Sequence, residues 1–267
     1  LTSIAPERKS NVVLYGANIG FEKSPINYHA CVEAMFPNWY PATEKPVLLS
    51  MASELQDHSE QYWQAESQHL TKRFQSKISS IIEEDSCKHF SLFALAPQPL
   101  LIKLGALLTD KIDVETYQLH REPKGWFWQD CSDDFEYIIN RPQNMEGKPA
   151  LLLSLSDHVS HERITGVIGP DTSIWEVTIK QPHNDFMKSK QQLSLFRKCI
   201  RKLIIEIKNT HGDVTPLQIF PVMPVSCAVE LGRARMPKAD MPWLIYDHDI
   251  KTQQFVMAIE LRGDLHE

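Results

Sequence analysis

The chain has 267 residues and a mass of 30.7 kDa, enough for about two compact units at roughly 150 residues each. Lys and Arg number 28 against 34 Asp and Glu, a formal charge of −6, which disfavours a broad electrostatic grip on duplex nucleic acid. Hydrophobic residues at 42% and charged residues at 23% are ordinary globular values that exclude a disordered, collagen-like or coiled-coil chain. No run approaches the roughly twenty apolar residues of a membrane span.

Taken in chain order, residues 11–15 are an apolar run ending at Gly16, and Ser24-Pro25 opens an amphipathic stretch to about Phe36, which predicts strand, loop and helix. Residues 46–51 predict a second buried strand. Within 62–84, Leu70, Phe74, Ile78, Ile81 and Ile82 stand at helical spacing. Residues 90–95 are strand-like and stop at Pro97 and Pro99, at the head of a helix running to Leu108, where proline's missing N–H has no partner to lose. A polar stretch over 121–129 carries Trp126, Phe127 and Trp128; the tryptophans, at period two, are expected on one strand face in a packing role. The Pro- and Gly-containing segment 141–149 predicts a boundary, dividing the chain into halves 1–145 and 146–267. Beyond it, strands near 151–155, 174–179, 217–220 and 243–246 alternate with a long helix over 185–208 and another from about Val225. Strands alternating with helices predict α/β architecture, a mostly parallel sheet in each half flanked by helices.

The second half repeats the first. At an offset of 127, residues 93–120 lie on 220–247 without a gap, with six identities: Phe93/Phe220, Pro97/Pro224, Leu104/Leu231, Gly105/Gly232, Lys111/Lys238 and Asp113/Asp240. Composition alone gives about two. At an offset of 122 the preceding helices agree as well, with Phe74, Ile78, Ile81 and Ile82 over Phe196, Ile200, Leu203 and Ile204. Glycine inside a helix costs roughly 0.5–1 kcal/mol relative to Ala, so Gly105 and Gly232 predict a close helix-on-sheet approach in both halves. Two Rossmann-like halves facing each other would form one pseudo-twofold cleft.

Open parallel sheets bind ligands outside the carboxyl ends of their strands. The loops there hold Asn18; Pro97 and Gln98; Ser154, Ser156, Asp157 and His158; Lys180; and Pro224, Val225 and Ser226. Helix starts offer free N–H groups and the positive end of the dipole, which suits an anion. The dinucleotide fingerprint G-x-G-x-x-G, the G-x-S-x-G elbow and the phosphate loop G-x-x-x-x-G-K-[ST] are missing, which disfavours an NAD enzyme and leaves no catalytic residue to name. His158-x-x-His161-Glu162 lacks a further ligand at suitable spacing and is read as a loop, so neither metal nor cofactor is expected. Cys31, Cys87, Cys131, Cys199 and Cys227 lie far apart without a Cys-x-x-Cys pair, which fits a reduced, cytoplasmic setting. The chain opens Leu1-Thr2-Ser3-Ile4, without Met or a signal-peptide pattern, as a piece excised from a longer protein would.

Residues 217–247 carry a strand, then Pro224, then Ala-Val-Glu-Leu-Gly-Arg at 228–233, Pro-Lys-x-Asp at 237–240 and a closing strand. This pattern resembles the SAVED domain of bacterial CBASS anti-phage signalling systems. Asn184-Asp185 leading to Leu195-Phe196-Arg197 is a second point of similarity, so the resemblance covers about 184–247. It implies two fused CARF-like Rossmann units that bind a cyclic di- or trinucleotide made by a partner cGAS-like nucleotidyltransferase. The family joins this sensor to an effector, commonly a DNA endonuclease of HNH or restriction type, otherwise a TIR NADase, a protease or a membrane segment. Ligand-driven self-association switches the effector on, and any DNA contact would belong to the effector. On this reading Ser226 and its helix start are expected to hold a phosphate; Asn18, Gln98 and Asp157 would read base edges, and Trp128 is a further candidate contact. A ring nuclease degrading the messenger in the same cleft is the alternative.

Overall fold

The structure, a computed structural model, describes residues 6–17, 26–50, 59–84, 87–130, 134–249, 252–263 and 265; the candidate Asn18 lies outside them. Strand β1 (Lys9–Gly16) leads to α1 (Tyr28–Met35), where the Asn27 side chain accepts from the Ala30 amide at 3.2 Å and caps the helix. Two-residue strands β2 (Tyr40–Pro41) and β3 (Val47–Leu48) precede α2 (Glu60–Phe74), which passes through a π-helical turn (Gln75–Ser79) into α3 (Ser80–Glu84). Next come β4 (Phe90–Leu95), α4 (Gln98–Leu108) and β5 (Val114–Thr116). The rest of the chain forms β6 (Ile138–Asn140), β7 (Lys148–Ser154), α5 (His161–Ile168) and β8 (Thr172–Thr178), then α6 (Lys190–His211), β9 (Leu217–Val222), α7 (Val225–Ala234), β10 (Trp243–Asp249) and β11 (Gln254–Leu261). Ser189 and Gln192 form a capping box at the start of α6, and Gly212, at φ 79°, ends that helix in a conformation side chains resist.

The first sheet has the order β2-β1-β4-β5 with β3 also on β1, and every pairing in it is parallel. The second runs β11-β10-β9-β7-β8-β6, parallel in its centre, with β11 and β6 antiparallel at its two edges. Central strands of such sheets are covered on both faces, which is why 150–153 is an unbroken apolar run and 90–94 is broken only by Ser91, whose hydroxyl pairs with that of Ser10 at 2.8 Å. β6 pairs with β8, so the division expected at 145/146 falls after the first strand of the second sheet.

One face of each sheet feeds a shared core. Val13, Tyr15, Leu92, Leu151, Leu153 and Ile219 meet there with apolar side chains of α2, α4, α6 and α7. The opposite faces carry smaller, matching clusters: Val12, Leu14 and Phe93 under Cys31 and Met35 of α1, and Ala150, Leu152 and Phe220 under Ile164 of α5.

The repeat is visible in three dimensions. β4 and β9 coincide at the offset of 127, and each outer cluster centres on an aromatic trio. Phe93 stacks on Tyr117 at 4.3 Å and meets Trp126 edge-on at 5.2 Å; Phe220 stacks on Tyr246 at 4.5 Å and meets Phe255 edge-on at 5.2 Å. Tyr117/Tyr246 and Trp126/Phe255 are related by 129, so the connection from helix to strand is two residues longer in the second half. The same shift places the bridge His120↔Gly125 on the pair Asp249↔Gln254 of the β10–β11 hairpin.

Three sequence expectations need correcting. Gly105 and Gly232 serve a helix-on-helix contact, not a helix-on-sheet one. A Cβ on Gly105 would strike the Val229 carbonyl and come within 2.9 Å of the Arg233 amide, while one on Gly232 would strike the Ile102 carbonyl and come within 2.7 Å of the Ala106 amide. Those two sets of atoms are themselves related by 127, so α4 and α7 cross on the pseudo-twofold axis, backbone against backbone. His161 and Glu162 lie in the first turn of α5, where an acidic residue favours the helix dipole, and not in a loop. Trp126 and Trp128 do not share a strand: Trp126 is buried on Phe93, and Trp128 is half-buried against His120. The hairpin strand β11, with alternating burial, is a further element that the sequence reading passed over.

Candidate functional site

The carboxyl ends of both sheets open onto one cleft of about 410 Å³, within the range of small-molecule sites. Leu95 ends β4, Met223, Pro224 and Val225 join β9 to α7, Ser156 follows β7, and Asn184 follows β8. The remaining wall, Gln118 to Arg121 with Lys124, is the hairpin that follows β5. Both halves therefore contribute. In a chain of net charge −6 the described lining contains Arg121, Lys124 and His120 and no carboxylate. A second hollow of about 620 Å³ lies beside β6, but Asp134 and Glu136 line it, which opposes an anion there.

The cleft brings together Ser156, Pro224 and Val225 of the expected residues. Pro97 is buried as the cap of α4, and Gln98 spans the halves, its side-chain carbonyl accepting from the Met223 amide at 3.3 Å. Ser226 is fully buried; its amide and hydroxyl both donate to the Gln118 carbonyl, at 3.1 and 2.9 Å, so the helix start expected to hold a phosphate is occupied by a side chain of the other half. Ser154 holds its own loop, donating to the Asp157 carbonyl at 2.8 Å and accepting from the Val159 amide at 3.1 Å. Asp157 and His158 are exposed beyond that turn, outside the cleft lining. Lys180 lines the second hollow instead. Trp128 stands behind the wall, 5.8 Å edge-on from His120.

Sequence reasoning passed over Gln118, His120, Arg121 and Lys124 because it sought loops that lead from a strand into a helix, and β5 leads into a hairpin. Burial lowers the His120 pKa, and Lys188 adds to this, against opposing contributions from Asp185 and from the carbonyls of Met187 and Phe127. The ring is thus held neutral near pH 7, able to donate and accept one hydrogen bond each.

The second half grips the first through the residues that carry the sequence pattern at 228–233. The Glu230 carboxylate, 2% exposed, accepts from Thr116 Oγ1 of the first half at 3.0 Å and from Arg233 Nη1 at 3.2 Å. Arg233 also donates to the carbonyls of Thr109, Ile112 and Val114, at 3.0, 2.8 and 3.3 Å. These carbonyls belong to the end of α4, the turn after it and the start of β5, so the pattern is a joint between the halves.

The strand ends of two parallel α/β halves thus share one cleft whose described lining carries no carboxylate. Residues 70–261 match the family model SAVED, described as the SMODS-associated and fused to various effectors sensor domain, and the chain belongs to that family. No curated protein matches the chain. Among solved structures it is similar to the Acinetobacter baumannii Cap4 SAVED/CARF-domain containing receptor with the cyclic trinucleotide 2′3′3′-cAAA, at TM-score 0.61 and 11% identity over 95% of this chain and 51% of that one. The same receptor with 3′3′3′-cAAA matches at TM-score 0.59 and 12% identity, covering 95% and 52%. The Moraxella osloensis Cap4 SAVED/CARF-domain containing receptor matches at TM-score 0.53 and 11% identity, covering 96% and 50%. The chain therefore spans about half the length of these receptors and shares their mixed α/β, Rossmann-like fold. Among the described residues no helix is long and apolar enough to cross a membrane.

Proposed function

We propose that this chain senses a cyclic oligonucleotide, most simply a cyclic trinucleotide, in the cleft between its two halves. The observation that carries the reading is the cleft itself: Arg121 and Lys124, in a described lining that holds no carboxylate, stand with the start of α7 at the strand ends of both sheets. A ring of phosphates needs such a local concentration of donors and positive charge, whatever the net charge of the chain. The cyclic trinucleotides in the A. baumannii receptor support the ligand class.

Within this reading Ser156, Val225 and Asn184 contact the ligand directly, and Gln118 reads it from the opposite wall. Ser226 reaches a phosphate only by exchanging its bond to Gln118. The ligand would be supplied by a cGAS-like nucleotidyltransferase, and binding would promote self-association that activates an effector, a DNA endonuclease by preference, outside this sequence. Incubation with 2′3′3′-cAAA and 3′3′3′-cAAA, followed by melting curves and chromatography, tests the sensor reading. A raised melting temperature with intact cyclic ligand is expected, because a ligand of the native state stabilises it by mass action. Steady appearance of linear products would replace the sensor by a ring nuclease.

A further inference from the structure

The wall that supplies the cleft's positive charge has few supports of its own. After β5 the chain leaves the first sheet, and among the described residues the hairpin of Arg121 and Lys124 is closed by the bridge His120↔Gly125. Its tip is held from the other half. The two carboxylate oxygens of Asp185 accept from the backbone amides of Arg121 at 3.0 Å and Glu122 at 3.1 Å. Lys188 ties off the same point, its ammonium donating to Asp185 and, at 2.7 Å, to the Glu122 carbonyl, while the Gln129 amide donates to the Lys188 carbonyl at 2.9 Å. Asn184, the residue before the clamp, lines the cleft.

We propose that Asp185 is a positioning residue for ligand binding: by holding the amides of 121 and 122 it sets the Arg121 and Lys124 side chains over the cleft. A carboxylate on two successive amides fixes a turn more tightly than neutral partners do, because each bond is charge-assisted. The clamp ties the segment after β8 to the hairpin after β5. Burial opposes the charged carboxylate, but the Lys188 bond and the two amides outweigh it, and the Asp185 pKa lies below its ordinary value. Among the described residues the charged and titratable side chains placed against it are Lys188, His120 of the hairpin and His183, whose Nδ1 accepts from the Asp185 amide at 3.3 Å. The clamp is therefore intact at neutral pH and is lost only as pH falls through that lowered value.

The inference rests on the sensor reading, and the experiment separates the two. Affinities for 3′3′3′-cAAA and 2′3′3′-cAAA are measured by calorimetry at low and high salt for the wild-type chain, Asp185→Ala, Asp185→Glu, Lys124→Ala and the double variant. Asp185→Ala should bind about tenfold more weakly, the scale of one lost charge-assisted contact. It should also show a flatter salt dependence, and adding Lys124→Ala to it should cost much less than Lys124→Ala costs alone. Asp185→Glu, which keeps the charge, should recover part of the affinity. A purely structural role would lower the melting temperature and leave the salt dependence and the additivity of the folded protein unchanged. Wild-type binding with an additive, salt-normal Asp185→Ala overturns this inference alone; a wild-type chain that binds neither probe overturns the sensor reading and the inference with it.

Discussion

Gly232 and Gly166 are both helix glycines, and their surroundings assign opposite signs to the same substitution. A Cβ at Gly166 of α5 meets nothing within 4 Å, whereas one at Gly232 would enter the Ile102 carbonyl and approach Gly105 Cα to 2.9 Å. Gly166→Ala should therefore stabilise the fold by about 0.5–1 kcal/mol, the ordinary helix preference for Ala. Gly232→Ala should destabilise it by about 1–3 kcal/mol or more, because two backbones must part to admit the methyl group. Chemical denaturation of the two variants checks the contrast. Glu230 makes a second test at this scale. Its removal strands Arg233 among carbonyls with less charge to balance it, and breaking a buried ion pair from one side costs about 3–5 kcal/mol. Glu230→Ala should accordingly unfold at markedly lower denaturant, and a loss under about 1 kcal/mol would contradict the joint described above.

The elements show why some of the architecture could be read from the sequence and some could not. β4 and β9 were legible because strands covered on both faces are largely apolar, with Ser91 and Gln218 as buried polar exceptions, and the prolines at 97 and 224 marked the helix starts that follow them. α6 was legible because Phe196, Ile200, Leu203, Ile204 and Ile207 keep helical spacing over several turns. α5 was not, since its eight residues bury Ile164 alone and leave little periodicity to detect. The glycines at 105 and 232 announced a close approach, but nothing local says whether a helix meets a sheet or another helix; that depends on how the repeats face each other. The cleft was half legible. Ser156, Pro224 and Val225 stand at strand ends, as the rule for parallel sheets requires, while Gln118, Arg121 and Lys124 stand on a hairpin whose tip is hydrogen-bonded to Asp185, far away in sequence.

At the scale of the molecule, four histidines among the described residues, His89, His120, His211 and His248, have pKa values lowered from 6.5, in each case with burial as the first cause. Each is held neutral in the folded state, while in the unfolded chain it binds a proton as pH falls through about 6.5. Between that value and the lower folded-state values, the unfolded state carries more protons, so stability rises with pH. The melting temperature should accordingly be lower near pH 5.5 than near pH 7.5 in buffers of equal ionic strength, and a flat or inverted profile would contradict the burial assigned to these rings. The whole molecule also explains how an acidic chain can offer an anion site: two carboxylates line the second hollow, that of Asp185 is engaged by two backbone amides and Lys188, and the cleft lining itself carries Arg121 and Lys124.

The central claim is that this cleft takes a cyclic oligonucleotide, and calorimetric titration of the chain with 2′3′3′-cAAA and 3′3′3′-cAAA, alongside Arg121→Ala and Lys124→Ala, tests it most directly. Saturable binding by the wild-type chain, weakened about tenfold in each variant with the fold intact, is the predicted result. Binding that both variants leave unchanged, or no heat from either ligand, would contradict it.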